Sequence, residues 1–378
     1  MANKNLSKAK SSKNDEFYTQ MDDIFREVDA YLEFDPDVFR GKKVLCPCDD
    51  PYESNFFKYF ALRFNGLGLK KLIATCYVGS PIANTQLSLF DDEPVENKTT
   101  KNPHKIEIEE ITDTRDDGSY DLLNIQSLLK NKKNVLTRLK GDGDFRSEEV
   151  TKLRNEADII VTNPPFSLFR EFLAWIVEAN KQFLIIGNMN AITYKEVFPL
   201  FKENKMWFGK GFKSGDAYFS TPLAQNYGEG VYDSETGLVK FRNCCWFTNL
   251  DHDLRHIPLP CMTMADALRY HRHKELKGKK SYDKYDNYDA IEIPYTDMIP
   301  SDHDGVMGVP ISFLEKYCPE QFEIIGNEYD LNIDKGRGYI NGRRIYSRVF
   351  IKPSNTTIGH IAPPNFQIDC GNCTAMPM

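Results

Sequence analysis

The sequence predicts an α/β protein of two lobes, the first built on a parallel sheet. Three observations carry this expectation. The 378 residues exceed a typical domain of ~100–200 residues. Strand-length apolar runs alternate with helical patterns, as βαβ units require. That alternation stops near residue 255, where Pro, Tyr, Asp and basic clusters take over. Hydrophobic residues at 41% and aromatics at 12%, against 27% charged, exclude a disordered chain.

The elements follow in order. Lys43 to Cys48 reads as a strand, with a helical candidate at Ser54 to Phe64 behind it. Lys71 to Tyr77 is the second strand. From Ser80 to Lys140 the pattern loosens into polar, acidic sequence with one possible strand near Lys105 to Ile111, and residues 81–140 read as a variable acidic insertion. Asp158 to Thr162 is a strand of buried type. Ser167 to Ala179 is helical, because Phe169, Leu173, Ile176 and Val177 recur at i, i+4, i+7 and i+8. Gln182 to Gly187 is the fourth strand. A first domain over 1–255, a second lobe over 256–352 and a weakly structured tail over 353–378 are expected.

No apolar run approaches the ~20 residues needed to cross a bilayer. Met1 to Lys13 is polar and lysine-rich with no apolar stretch behind it, unlike a signal peptide. Several of the nine cysteines (Cys46, Cys48, Cys76, Cys244, Cys245) sit in apolar segments, as buried reduced thiols do. A cytoplasmic enzyme is the expectation. No metal is expected: Cys370 with Cys373, and His271 with His273, lack the further ligands of a zinc site.

The net charge of −7 misleads as a sum. Between Asp91 and Ser119, ten acidic residues against four basic ones account for six of the seven negative charges. Elsewhere lie basic stretches suited to phosphate: Met1 to Lys13, Arg269 to Lys284 with Arg272 and Lys274, and Lys335 to Lys352. The last holds Arg337, Arg343, Arg344 and Arg348 with interleaved aromatics and no acid. Such groups neutralise a nucleic-acid backbone, and arginine forks read guanine edges. Taken alone, a charge run is also an ordinary solvated edge.

The most specific feature is the strand ending in Thr162, which runs straight into Asn163-Pro164-Pro165-Phe166. Two prolines cannot continue a central strand, so the chain breaks into a stiff loop at the strand's carboxyl end, where open α/β sheets bind ligands. The Asn163 side-chain oxygen and the Pro164 carbonyl are two acceptors held close together. They suit the two hydrogens of an exocyclic amine, with Phe166 placed to stack on its ring. The same residues read alone also describe a strand-end turn, with Asn163 capping the next helix and Phe166 in the core.

This segment resembles motif IV of the N6-adenine DNA methyltransferases. Further stretches resemble the EcoRI-type modification methylases: Asp15 to Gln20, Cys48 to Pro51 with Ser54 to Phe60, Gly141 to Ser147, Thr193 to Phe198 and Gly305 to Pro310. The resemblance covers most of Lys13 to about Lys352. It implies a Rossmann-like S-adenosylmethionine-dependent methyltransferase sheet, mainly parallel with one antiparallel strand, and a smaller C-terminal target-recognition lobe. It implies methyl transfer from S-adenosylmethionine to a flipped adenine, with Asn163 to Phe166 as the catalytic clamp.

By the same resemblance, Tyr18 and Thr19 lie against the cofactor's methionine end, and Asp50-Pro51 with Ser54 form the loop after the first strand. Asp49 or Asp50 takes the ammonium group, since Ser54 and Asn55 stand where relatives have glycine. Asp144 and Phe145 meet the cofactor's adenine. Read alone, Asp49 to Pro51 is equally a simple turn, and Gly141 to Phe145 is an ordinary Gly/Asp turn. The implied partner is double-stranded DNA, met by a monomer, with a restriction endonuclease sharing the site without binding the enzyme. The rival expectations are a methyltransferase of RNA adenine or protein glutamine, and a non-catalytic DNA-binding module.

Overall fold

The computed structural model describes residues 17–51, 53–76, 103–112, 128–129, 131–212, 216–221, 224–270, 273–333 and 337–354. Asp15, His271, Arg272, Lys335, Cys370 and Cys373, with most of the acidic insertion, lie outside these. The chain forms two compact units, residues 1–254 and 255–378.

The first unit is organised by an eight-stranded sheet. Its strands are β1 (Lys43–Cys46), β2 (Lys71–Thr75), β3 (His104–Ile108), β4 (Val135–Arg138), β5 (Ile159–Thr162), β6 (Gln182–Asn188), β7 (Trp207–Phe208) and β8 (Cys244–Thr248). Their order is β4-β3-β2-β1-β5-β6-β8-β7. The central β2-β1-β5-β6 set is parallel. All four residues of β5 are buried, which is why its sequence is one apolar run rather than an alternation.

The resemblance implied one antiparallel strand, but the structure has two reversed strands, β3 and β8. The extra one, β3, is the strand suggested near Lys105 to Ile111, inserted between β2 and β4. Its charges do not keep it out of the sheet because they are paired, one across to β2 and one along the strand itself. Glu107 receives Lys71 at 2.7 Å and Lys105 at 2.6 Å.

From β1 the chain moves outward to β2, then returns to β5 on β1's other side. The carboxyl ends of β1 and β5 therefore bound the crevice that such a reversal opens. The helix at Asn55–Leu62 starts behind Ser54, whose Oγ accepts from the Phe56 and Phe57 amides, a standard N-cap role for serine. The helix at Phe169–Glu178 follows a short 3-10 turn, Phe166–Leu168, that begins where the prolines end. A small sheet of Tyr18–Thr19, Asp216–Ser220 and Val239–Arg242 completes the unit.

A buried acid fixes the helix Met21–Phe34 to the loop after β7. Glu27 accepts from the Tyr31 hydroxyl at 2.6 Å and from the Lys210 and Gly211 amides at 2.9 and 3.0 Å. Burial pushes its carboxyl up to about 7. A Cβ on Gly209 would overlap Glu27 Oε1 and the Tyr31 hydroxyl. Gly209→Ala is expected to lower unfolding stability by about 1–3 kcal/mol, the usual range for overpacking. An unchanged urea midpoint would show that the loop yields freely.

The second unit has a four-stranded sheet ordered Ile291–Glu292, Met307–Pro310, Arg348–Pro353 and Phe322–Asn327, plus a two-stranded hairpin of Tyr339–Ile340 with Arg343–Arg344. Within it, Glu292 accepts from Arg348 Nη2 at 2.6 Å and Nε at 2.9 Å, and also from the Tyr285 hydroxyl.

Candidate active site

A cavity of about 600 Å³ opens at the carboxyl ends of β1 and β5, a size common for cofactor pockets. Its wall includes Tyr18, Thr19, Asp49, Asp50 and Ser54 from the first half of the expected site, and Asp144, Phe145, Asn163 and Pro165 from the second. Pro51, Pro164 and Phe166 are not among the lining residues.

Asn163 is the best-defined member. Its Nδ2 donates to the Phe17 carbonyl at 2.6 Å. A backbone carbonyl only accepts, so the amide's orientation is set: nitrogen toward Phe17, oxygen away. That Oδ1 is buried and has no hydrogen-bond partner among the described residues. Buried acceptors are nearly always paired, so an orphaned one at a cavity wall points to a donor on a ligand. Phe17 is held in turn because Tyr18–Thr19 pairs antiparallel with Phe219 and Ser220, and Asn55 Nδ2 donates to the Thr19 carbonyl at 2.7 Å. Thr19 Oγ1 is a second buried oxygen without a partner among the described residues.

Phe166 is half-buried, with its ring stacked on Phe17 at 5.7 Å and 21° and edge contacts to Phe219 and Phe241. Pro164 is buried.

The loop after β1 is tied to the last residue of β5 by Asp49. Its carboxylate accepts from Ser54 Oγ at 2.6 Å on one oxygen and from the Thr162 hydroxyl on the other. Asp49 thus braces the residue immediately before Asn163, while its neighbour Asp50 is also buried on the wall. Burial pushes Asp49 up to about 7, against the two hydroxyls that favour its ionised form. Unfolded, the carboxyl ionises near its ordinary 3.8. Between these values the unfolded state loses a proton that the folded state keeps, so stability falls as pH rises from about 4 to about 7 and is flat above. Glu27 acts in the same direction. Urea unfolding at pH 5 and pH 8 is expected to show the loss, and Asp49→Asn to reduce it. A stability that rises with pH across this window would contradict it.

Asp144 is less open than expected. Arg146 clasps both of its oxygens, at 2.8 and 2.6 Å, and reaches Glu171 at 2.8 Å. This guanidinium holds the Asp144 carboxyl below the usual carboxylate range. Oδ1 also accepts from the Arg146 amide at 2.8 Å, which fills it, so Oδ2 is the oxygen that keeps a lone pair for a further donor. Phe145 is buried, with edge contacts to Phe172 and Trp175 at 5.0 and 5.5 Å, and Arg146 lies over its ring at 5.3 Å.

Three contributors were not singled out in the sequence: the Phe17 carbonyl, Arg146 and Glu171. Phe17 and Arg146 lie inside stretches that carried the resemblance. A backbone acceptor has no residue signature of its own, however, and Glu171 looks like any charge on a helix.

In the second unit, Lys274, Arg337, Arg343 and Arg344 are exposed. Arg348 departs from the expectation. Its side chain is only 13% exposed and its fork is closed on Glu292, itself 8% exposed, so it is placed as an internal ion pair and not as a surface cation. Arg272 lies outside the described residues.

Comparison with known proteins gives consistent matches. The family model described as adenine-specific methyltransferase EcoRI matches residues 5–354. The chain is 44% identical to the type II methyltransferase M.EcoRI of Escherichia coli over 93% of its own length and 96% of that protein. It is 33% identical to the type II methyltransferase M.MpnI of Mycoplasma pneumoniae, over 93% and 99% respectively. It is likewise 33% identical to the type II methyltransferase M.MgeORF184P of Mycoplasma genitalium, over 92% and 98%. No solved structure matches.

Proposed function

The chain belongs to the EcoRI adenine-specific methyltransferase family, and on that premise we propose that Asn163 Oδ1 orients the exocyclic amine of a flipped adenine for methylation. It is an adenine-specific DNA methyltransferase of a restriction-modification system. The observation that carries the site assignment is the fixed amide of Asn163, with its oxygen buried at the cavity wall and unpaired.

A methyl donor is required, and S-adenosylmethionine fits the wall. The cavity offers a buried acid at Asp50, a buried hydroxyl at Thr19 and the Asp144 carboxylate with capacity to spare. Bound there, the donor would supply a methyl group already activated on a sulfonium. The chain's own contribution is positioning. Asn163 Oδ1 accepts a hydrogen bond from the amine N–H, which draws the poorly nucleophilic nitrogen into a defined orientation. Asp49 and Phe17 keep that oxygen in place, and the buried walls exclude water. Holding reactants in line in this way is a large rate factor by itself. A stacked adenine is out of reach, so the base leaves the helix first, at a cost of a few kcal/mol.

DNA is the acceptor, and the exposed Lys274, Arg337, Arg343 and Arg344 are the cations we assign to it. A cognate endonuclease would share the site without contacting this chain, which would act as a monomer. Tritium transfer from labelled S-adenosylmethionine to duplex DNA, RNA and protein tests the reading. Label in N6-methyladenine of duplex DNA is expected, and label confined to RNA or protein overturns it.

A further inference from the structure

We propose that the hairpin between Arg337 and Tyr346 is a preformed ribbon that enters the major groove of the target DNA and reads base edges, with Asp286 as the residue that positions it. The inference rests on the DNA reading above and extends it to how the site is chosen.

The ribbon is short but strongly specified. Tyr339 pairs with Arg344 and Ile340 with Arg343. Asn341 and Gly342 join them, both left-handed at φ 50° and 72°. Two consecutive left-handed residues make the tight turn whose twist matches that of paired strands, and Asn-Gly is its preferred sequence. An isolated two-stranded hairpin is marginally stable in water.

Here five hydrogen bonds to Asp286 and Asn287 hold it. The turn amides of Asn341 and Gly342 donate to the Asp286 carboxylate at 3.0 and 2.8 Å. The Asp286 amide donates to the Tyr339 carbonyl at 2.8 Å. Asn287 donates to the Arg337 carbonyl at 2.9 Å and accepts from the Tyr339 amide at 3.2 Å. A Cβ on Gly338 would come within 2.8 Å of the Tyr285 ring, so the chain leading into the strand lies flush against the residue next to those that pin it. The ribbon's shape is therefore set before any ligand arrives.

Its side chains are those of a reader. Arg337, Arg343, Arg344 and Asn341 are exposed, and Tyr346 is 86% exposed. The three arginines make no ion pair among the described residues, whereas Arg348, a few residues on, is closed on Glu292. Within one basic stretch the fold thus neutralises one cation internally and leaves the ribbon's cations available. Adjacent residues of a strand face opposite ways, so Arg343 and Arg344 project from opposite faces of the ribbon. The major groove admits a two-stranded ribbon, and arginine reads guanine there while asparagine reads adenine. Exposed cations on an irregular loop would serve for phosphate alone; a rigid, twisted ribbon adds the register that base reading needs.

Asp286→Ala removes the turn's acceptor and a negative charge but no cation, while Asp286→Asn removes the same charge and keeps an acceptor, so the two together separate geometry from charge. The full chain is titrated with two duplexes, one bearing the sequence that the wild type methylates, identified from N6-methyladenine in host DNA, the other with that sequence scrambled. The affinity ratio between them is expected to fall at least tenfold in Asp286→Ala, with partial recovery in Asp286→Asn and an unchanged affinity for S-adenosylmethionine. Arg343→Ala with Arg344→Ala, exposed and outside any packing, is expected to lower the same ratio and to flatten the salt dependence of binding. An unaltered ratio in both variants overturns the proposal. So does equal weakening on both duplexes, which marks a contact with the backbone only. A wild-type chain that binds neither duplex instead sinks the DNA reading on which the proposal stands.

Discussion

Asn163→Ala is expected to slow methyl transfer by about 10²–10³-fold, the loss typical of deleting one preorganised hydrogen-bonding group at a reacting centre. The substitution removes an oxygen with no competing partner among the described residues, so the amine that it orients has nothing nearby to replace it. It also frees the Phe17 carbonyl from its 2.6 Å bond, and an unpaired buried acceptor costs about 1–3 kcal/mol. The rate effect therefore appears together with a modest drop in stability, and a chain that remains folded by circular dichroism reports on chemistry. Asn163→Asp sharpens the test: a carboxylate cannot donate to Phe17, so the charge is repelled from that carbonyl and activity is lost again. Single-turnover transfer to duplex DNA, with donor affinity measured separately by calorimetry, reads both. Turnover equal to wild type in Asn163→Ala would place the orienting group elsewhere.

Arg348→Ala is expected to destabilise the second unit by about 3–5 kcal/mol, as removal of one member of a buried pair does. Glu292 would be left buried and charged, with the Tyr285 hydroxyl as its remaining donor. Against a whole-domain stability of about 5–15 kcal/mol, this is large enough to unfold the unit at moderate urea. Replacing both partners, Arg348→Met with Glu292→Leu, is expected to cost less than the single change, because no charge is stranded. Urea midpoints decide the matter. An unmoved midpoint in Arg348→Ala together with a flattened salt dependence of DNA binding would return Arg348 to the surface role its sequence suggests.

That contrast shows what a sequence can carry. The strand at Ile159–Thr162 and the corner at Asn163 to Phe166 were legible because consecutive prolines forbid a continued ladder, and a fully buried parallel strand is apolar throughout. The helix behind them was legible from its period, apart from the 3-10 turn that opens it. Arg348 and Arg344 look alike as letters, and only the fold decides which one meets a glutamate. The tie from Asp49 to Thr162 spans 113 positions, and the amide of Asn163 is set by a main-chain carbonyl 146 positions away. Neither leaves a local pattern. The reversed strand at His104–Ile108 was discernible as a strand, but its direction depends on pairings that composition does not record.

The pairing of Tyr18–Thr19 with Asp216–Ser220 has a bearing on biogenesis. A nascent chain that ends before residue 216 already contains every letter of the Asn-Pro-Pro-Phe signature, yet it lacks the strand that seats residue 17. Until that strand emerges, the signature is present without its anchor.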